Sequence, residues 1–196
     1  KIGKSAFSEY IDFSDLNELN KIDYPDWKYF TTQFPKLNKS IIGFPNKGLS
    51  LIVGYTGIGK SLLMLNLAGH FLERGLNVGF IETELQKERI FIRLARILLK
   101  LTRSEAEAKF KDKSLHKELN KALEKYKSFF ILESSKQLTI NTVNNFLNEC
   151  YSRNKKVDVL FIDLLNYYQC NPYSLTIEGE NQRFRDLGNF GLQLDT

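Results

Sequence analysis

From residue 49 onward the apolar positions fall into short dense runs, separated by longer stretches at helical spacing. Leu49-Ser50-Leu51-Ile52-Val53 is an apolar run of strand length. Leu62-Leu63-Met64-Leu65-Asn66-Leu67-Ala68 reads as a mostly buried helix, which ends at the C-cap glycine Gly75. Asn77-Val78-Gly79-Phe80-Ile81 is a second strand. Strand, helix and strand in such quick succession form a βαβ unit and predict a parallel sheet. After Glu82-Thr83-Glu84-Leu85 comes a long amphipathic helix. Ile90, Leu94, Ile97, Leu98 and Leu101 line one face of it, with Lys87, Arg89, Arg93 and Arg96 elsewhere. Ser104-Glu105-Ala106-Glu107 reads as a capping box that opens a short helix. Leu115, Leu119, Leu123 and Tyr126 keep step through a charged helix over residues 114–127. Ser128-Phe129-Phe130-Ile131-Leu132 is a third strand, and Thr139 or Asn141 caps a helix through Val143, Phe146, Leu147 and Cys150. Val157-Asp158-Val159-Leu160-Phe161-Ile162-Asp163 is a fourth strand, apolar enough to be buried on both faces.

The two ends read differently. Phe13, Leu16, Leu19 and Ile22 recur at roughly helical spacing, with Ser14 or Asp12 as N-cap, before Tyr24-Pro25-Asp26-Trp27 breaks the pattern. This predicts a short amphipathic segment over residues 1–30 that packs on its own domain or docks on a neighbouring subunit. Residues 34–47 read as an irregular lead-in. Residues 170–181 read as a polar loop, and residues 181–196 as a helical segment carrying Gly188 and Gly191.

Composition narrows the class without naming a chemistry. A chain of 196 residues, 42% hydrophobic, has room for one domain with a proper core and a short appendage. No apolar run is long enough to span a bilayer, and Lys1-Ile2-Gly3-Lys4-Ser5 lacks a signal peptide's apolar core, so a cytoplasmic setting is expected. Cys150 and Cys170 have no metal-ligand spacing with each other or with His70 and His116. A net charge of +5 permits contact with nucleic acid without demanding it.

The chemistry is concentrated in Gly54-Tyr55-Thr56-Gly57-Ile58-Gly59-Lys60-Ser61, which reads G-x-x-x-x-G-K-S between a predicted strand and a predicted helix. That context makes it a phosphate-binding loop. The glycines let the backbone close round a phosphate, with amide hydrogens aimed inward at the start of a helix. The candidate nucleotide contacts are Gly54, Thr56, Gly57, Ile58, Gly59, Lys60, Ser61 and Leu62. Lys60 supplies a point charge for the terminal phosphates, and Ser61 a hydroxyl for Mg2+. About one hundred residues later an apolar strand ends in Asp163, the pattern of a carboxylate that holds Mg2+ at the C-terminal edge of a sheet. Hydrolysis also needs a carboxylate near the terminal phosphate to activate water. Glu82 and Glu84 both follow the second strand, and position alone does not choose between them.

From about Thr31 the chain resembles the RecA-like ATPase domain of DnaB-type replicative helicases. Thr32-Gln33-Phe34-Pro35-Lys36-Leu37-Asn38-Lys39 with Gly43-Phe44 is similar to the family's lead-in T-G-[FY]-x-x-L-[DN]-x-x-x-G-[FL]. Phe80-Ile81-Glu82-Thr83-Glu84-Leu85 followed by Arg93 resembles F-x-S-L-E-M…R, and Phe161-Ile162-Asp163-Leu164-Leu165-Asn166 resembles I-D-Y-L-Q. Leu164 and Asn166 depart from the usual Tyr and Gln. The resemblance implies a RecA-like α/β core with a parallel sheet flanked by helices, over residues 31–196, behind a linker helix in residues 1–30. It places the catalytic glutamate on Glu84 and implies ATP, or another nucleoside triphosphate, with Mg2+. It further implies a hexameric ring that moves on single-stranded DNA, with a primase or helicase loader as partner, in the host cytoplasm if phage-encoded. The family's sensor strand, DNA-binding loops and arginine finger are expected beyond Thr196, so this chain alone is not expected to unwind DNA. Two other readings fit the same loop: a RecA-type recombinase or mediator, and a nucleotide-gated assembly module that barely hydrolyses.

Overall fold

A computed structural model describes residues 28–55, 57–83, 86–126, 128–133 and 138–163. The expected linker helix, the polar loop and the final helical segment lie outside them.

The described chain opens with β1 (Tyr29–Phe30), α1 (Pro35–Ile41) and β2 (Phe44–Pro45). β1 and β2 pair antiparallel. The irregular lead-in expected over residues 34–47 is therefore structured, and the reasons are local. Pro35 sits at the first position of α1, where its missing N–H costs nothing. Thr32 and Asn38 then clasp the turn: the Thr32 N–H donates to Asn38 Oδ1 at 2.8 Å, and Asn38 Nδ2 donates to the Thr32 carbonyl at 2.8 Å. Phe30 packs on Phe71 with ring centroids 5.9 Å apart, which ties this ribbon to the core.

The body consists of α2 (Lys60–Glu73), β3 (Val78–Glu82), α3 (Lys87–Leu99), α4 (Arg103–Lys111), α5 (Ser114–Leu123), β4 (Phe129–Glu133), α6 (Ile140–Ser152) and β5 (Val159–Ile162). β3, β4 and β5 form a parallel sheet in the order β4-β3-β5. Period-2 alternation along β3 sorts the core into two layers. Val78 and Phe80, with Phe161 of β5, pack under Leu65, Ala68, Phe71 and Leu72 of α2 and Ile90 and Leu94 of α3. Ile81 faces the other way, where Leu132, Leu160 and Ile162 meet Val143, Phe146 and Leu147 of α6. Helices thus cover both faces, as a parallel sheet requires.

Three expectations need correction. Residues 49–53 form no strand: Leu51 and Val53 are 52% and 90% exposed, and only Ile52 leans on the core. A strand is defined by a ladder, and no described strand pairs with this run, so the described sheet has three strands rather than four. β5 is shorter than expected and mostly half-buried, because it pairs with β3 alone. Finally, the capping box at the start of α4 is built on Thr102 and Glu105 rather than Ser104 and Glu107. The Thr102 N–H donates to Glu105 Oε2 at 2.8 Å, while Glu107 is drawn to Arg103 one turn back, with Nε–Oε1 at 2.7 Å. At α6 Thr139, not Asn141, is the cap.

Candidate nucleotide site at the C-terminal edge of the sheet

A short turn at Arg74 and Gly75 joins the end of α2 to the start of β3, so the two elements run in opposite directions. The start of α2 therefore lies at the end of the sheet where β3, β4 and β5 finish. Both sequence-predicted features, the glycine loop and Asp163, belong to that end.

The loop's backbone shows why glycines are required at two positions. Gly57 and Gly59 have φ of 82° and 105°, a region L side chains rarely adopt. A Cβ at either would meet nothing within 4 Å, so backbone conformation rather than space selects glycine. Gly59 is the residue before α2, and the helix carries no side-chain cap. Its first N–H groups are left facing outward, with the positive end of the helix dipole behind them. Lys60 Nζ donates to the carbonyls of Gly54 at 2.7 Å and Tyr55 at 3.0 Å, folding the lysine back over the loop. Gly54, Tyr55, Gly57, Ile58, Gly59 and Leu62 are exposed, and Lys60 and Ser61 are partly so. Thr56 lies outside the described residues.

Asp163 follows β5 directly and is only 5% exposed. Its N–H donates to the Ile81 carbonyl at 2.9 Å, and Thr83 Oγ1 donates to its carbonyl at 3.1 Å. These bonds hold the carboxylate at the strand end. Alternation from Phe161 turns Asp163 toward the face that α2 covers. Glu82, the last residue of β3, is fully buried at the same edge. Glu84 lies outside the described residues.

The donor set of a buried carboxylate and a hydroxyl fits Mg2+. Among the described residues no group of three or more His, Cys, Asp or Glu could hold an ion. Mg2+ uses one or two carboxylates and fills its remaining positions with phosphates and water. A buried carboxylate at the same end of the sheet as a helix start with a hydroxyl and an ammonium can hold a polyphosphate and its cation together. A separate cavity of about 420 Å³, lined by Leu123, Tyr126, Phe129, Phe130 and Lys155, opens at the start of β4 and so at the opposite end of the sheet.

The sequence also understated one part of the neighbourhood, the lead-in's attachment to α2. His70 Nε2 lies 3.2 Å from the Thr31 carbonyl, and Arg74 hydrogen-bonds Thr31 Oγ1. The T-x-x-x-x-x-N spacing of Thr32 and Asn38 was the available signal for the clasp.

Comparison with known proteins bears on the whole described region. The family model described as "DnaB-like helicase C terminal domain" matches residues 30–194. Among solved structures, an ATPase domain matches with TM-score 0.69 and 18% identity over 83% of this chain and 59% of its own. A DnaB-like replicative helicase, solved with attention to its interactions with primase, matches with TM-score 0.71 and 17% identity over 92% of this chain and 45% of its own. The chain thus spans about half the length of these structures. No curated protein matches the sequence.

Proposed function

The chain belongs to the DnaB-like helicase C-terminal domain family, with the RecA-like α/β fold of that group, and from this premise we propose that it is the ATP-hydrolysing motor domain of a hexameric replicative helicase. In the whole protein this motor translocates on single-stranded DNA and unwinds the duplex, with primase or a helicase loader as partner.

The observation that carries the reading is the position of Asp163. Its carboxylate is buried at the end of β5, on the sheet face covered by α2, whose uncapped start the glycine loop forms. In this reading the backbone of Gly57, Gly59 and Lys60 wraps the phosphates, with Gly54, Thr56, Ile58 and Leu62 completing the loop wall. Lys60 exchanges its two loop carbonyls for phosphate oxygens. Ser61 and Asp163 hold Mg2+, which when bound offsets the charge that develops on the transferred phosphate. Glu84, two residues past the end of β3, accepts the proton of the attacking water. Closing water out of this edge would strengthen each of these interactions.

The test is Glu84→Gln in the full-length protein. Turnover should fall by two orders of magnitude or more on the usual scale for a lost catalytic base, about 10²–10⁴-fold, while nucleotide affinity persists. Unchanged turnover would remove Glu84 from the catalytic role and pass it to Glu82, whereas negligible turnover in the wild type itself would favour a nucleotide-gated switch that barely hydrolyses.

A further inference from the structure

We propose that Glu82 is a positioning residue of the nucleotide–magnesium site, a second buried carboxylate that works beside Asp163. The proposal rests on the ATPase reading above and extends it to a residue that reading leaves without a role.

Its basis is the register of the central strands. Val78 pairs with Val159 and each following residue pairs in step, up to Ile81 with Ile162. The pairing does not stop where β5 ends, because the Asp163 N–H still donates to the Ile81 carbonyl at 2.9 Å. Glu82 and Asp163 are thus the next pair in the row. Residues opposed in a parallel ladder project to the same face, and alternation places Glu82 in line with Phe80 and Asp163 in line with Phe161. The rings of Phe80 and Phe161 stack at 5.9 Å on the face that α2 covers. The two carboxylates extend that row by one step toward the start of α2, at a strand spacing of about 4.8 Å.

Both are removed from water: Glu82 is 0% exposed and Asp163 5%. Glu133, the partner of Glu82 on β4, is exposed, so among the described residues the buried acidic side chains are these two. The residues before it on β3 are Val-Gly-Phe-Ile, so Glu82 is the acidic side chain that this apolar strand takes out of water. A divalent cation held at Asp163 is favoured by a second carboxyl group one strand spacing away, because its affinity rises with the number of carboxylates around it. Glu82 therefore makes nucleotide binding depend more steeply on Mg2+. It contributes through the field at the site and through Asp163, not by touching the reacting phosphate.

The measurement is the equilibrium affinity of the full-length protein for a fluorescent ATP analogue, with Mg2+ and with EDTA, so the readout does not depend on turnover. For Glu82→Gln the Mg2+-dependent gain in affinity should fall by about tenfold, while affinity in EDTA stays the same or tightens slightly. Glu82→Ser, smaller and neutral, should behave likewise and serves if the Gln variant does not fold. A folded neutral variant that keeps the wild-type gain within twofold would make Glu82 structural only and overturn the proposal. Asp163→Asn, run in parallel, separates the two levels. If Asp163→Asn leaves the Mg2+ gain intact, the site reading itself fails and takes Glu82 with it. If Asp163→Asn abolishes the gain and the Glu82 variants do not weaken it, only this inference fails.

Discussion

Replacing Lys60 with Ala should leave the fold nearly intact and remove nucleotide binding, and the balance can be worked from its two hydrogen bonds. Nζ donates to Gly54 O at 2.7 Å and Tyr55 O at 3.0 Å. Both acceptors are exposed, so water replaces the ammonium when it is lost. The net loss is about 1 kcal/mol for the pair, partly offset by the few tenths by which Ala exceeds Lys as a helix former. For a chain of this size about 1 kcal/mol moves Tm by about 2–4 °C. The same ammonium facing phosphate oxygens makes hydrogen bonds worth about 1.5–3 kcal/mol each. Two such bonds, less the loop bonds given up, leave about 2–5 kcal/mol of binding, with a central loss on the order of a hundredfold to a thousandfold in affinity. Thermal denaturation and titration with a fluorescent ATP analogue on the same preparation read both quantities. A Tm drop above about 8 °C would mean that Lys60 holds the fold together. An affinity within threefold of wild type would mean that its ammonium does not reach the phosphates.

Other substitutions test separate links. Asp163→Asn keeps shape and removes a buried charge, so Mg2+-dependent ATP hydrolysis should fall by at least about a hundredfold, read by phosphate release, with little change in the far-UV spectrum. Gly79→Ala places a Cβ 2.9 Å from Leu160 Cδ1 and 3.2 Å from both Phe146 Cε1 and Val157 Cγ1, where the sheet meets α6. Overpacking of that kind costs about 1–3 kcal/mol, so calorimetry should show Tm lower by about 3–10 °C. Thr102→Ala removes the α4 cap and should lower Tm by about 2–4 °C near neutral pH. Its hydroxyl and N–H bonds hold the Glu105 carboxyl below its ordinary value. A depressed carboxyl stabilises the fold above its unfolded pKa and loses that contribution as pH falls through the folded one. The gap between wild type and Thr102→Ala should therefore narrow on acidification through the carboxylate range, and a constant gap would contradict this coupling.

Most of the body was legible because its signals are local. The spacing of Ile90, Leu94 and Leu98 needs one helix to be read, and all three are buried. β3, β4 and β5 were each found within one or two residues, because an apolar run bounded by polar residues marks a buried strand wherever it pairs. Misplacement of the α4 capping box shows where local reading fails. Thr102 with Glu105 and Ser104 with Glu107 offer the same spacing, and the choice is made by Arg103, which draws Glu107 away at 2.7 Å. The lead-in failed for the opposite reason: two prolines and a glycine read as irregular, while the clasp between Thr32 and Asn38 orders the turn through polar bonds that no hydrophobic period reports.

Residues 49–53 and Glu82 expose the same limit from two directions. An apolar pattern states that a surface gains by being covered, not which neighbour covers it. Leu51 and Val53 carry a strand's composition, yet strandness is a property of two chains, and no described strand meets them. Glu82 carries a surface residue's composition, yet the register that pairs its strand with β5 sets it beside Asp163 and out of water. In both cases composition predicts the wrong burial, because burial at a sheet edge is decided by pairing. The candidate site lies at that edge, so its loop and Asp163 could be read from short stretches of sequence, whereas the burial of Glu82 beside Asp163 required the ladder.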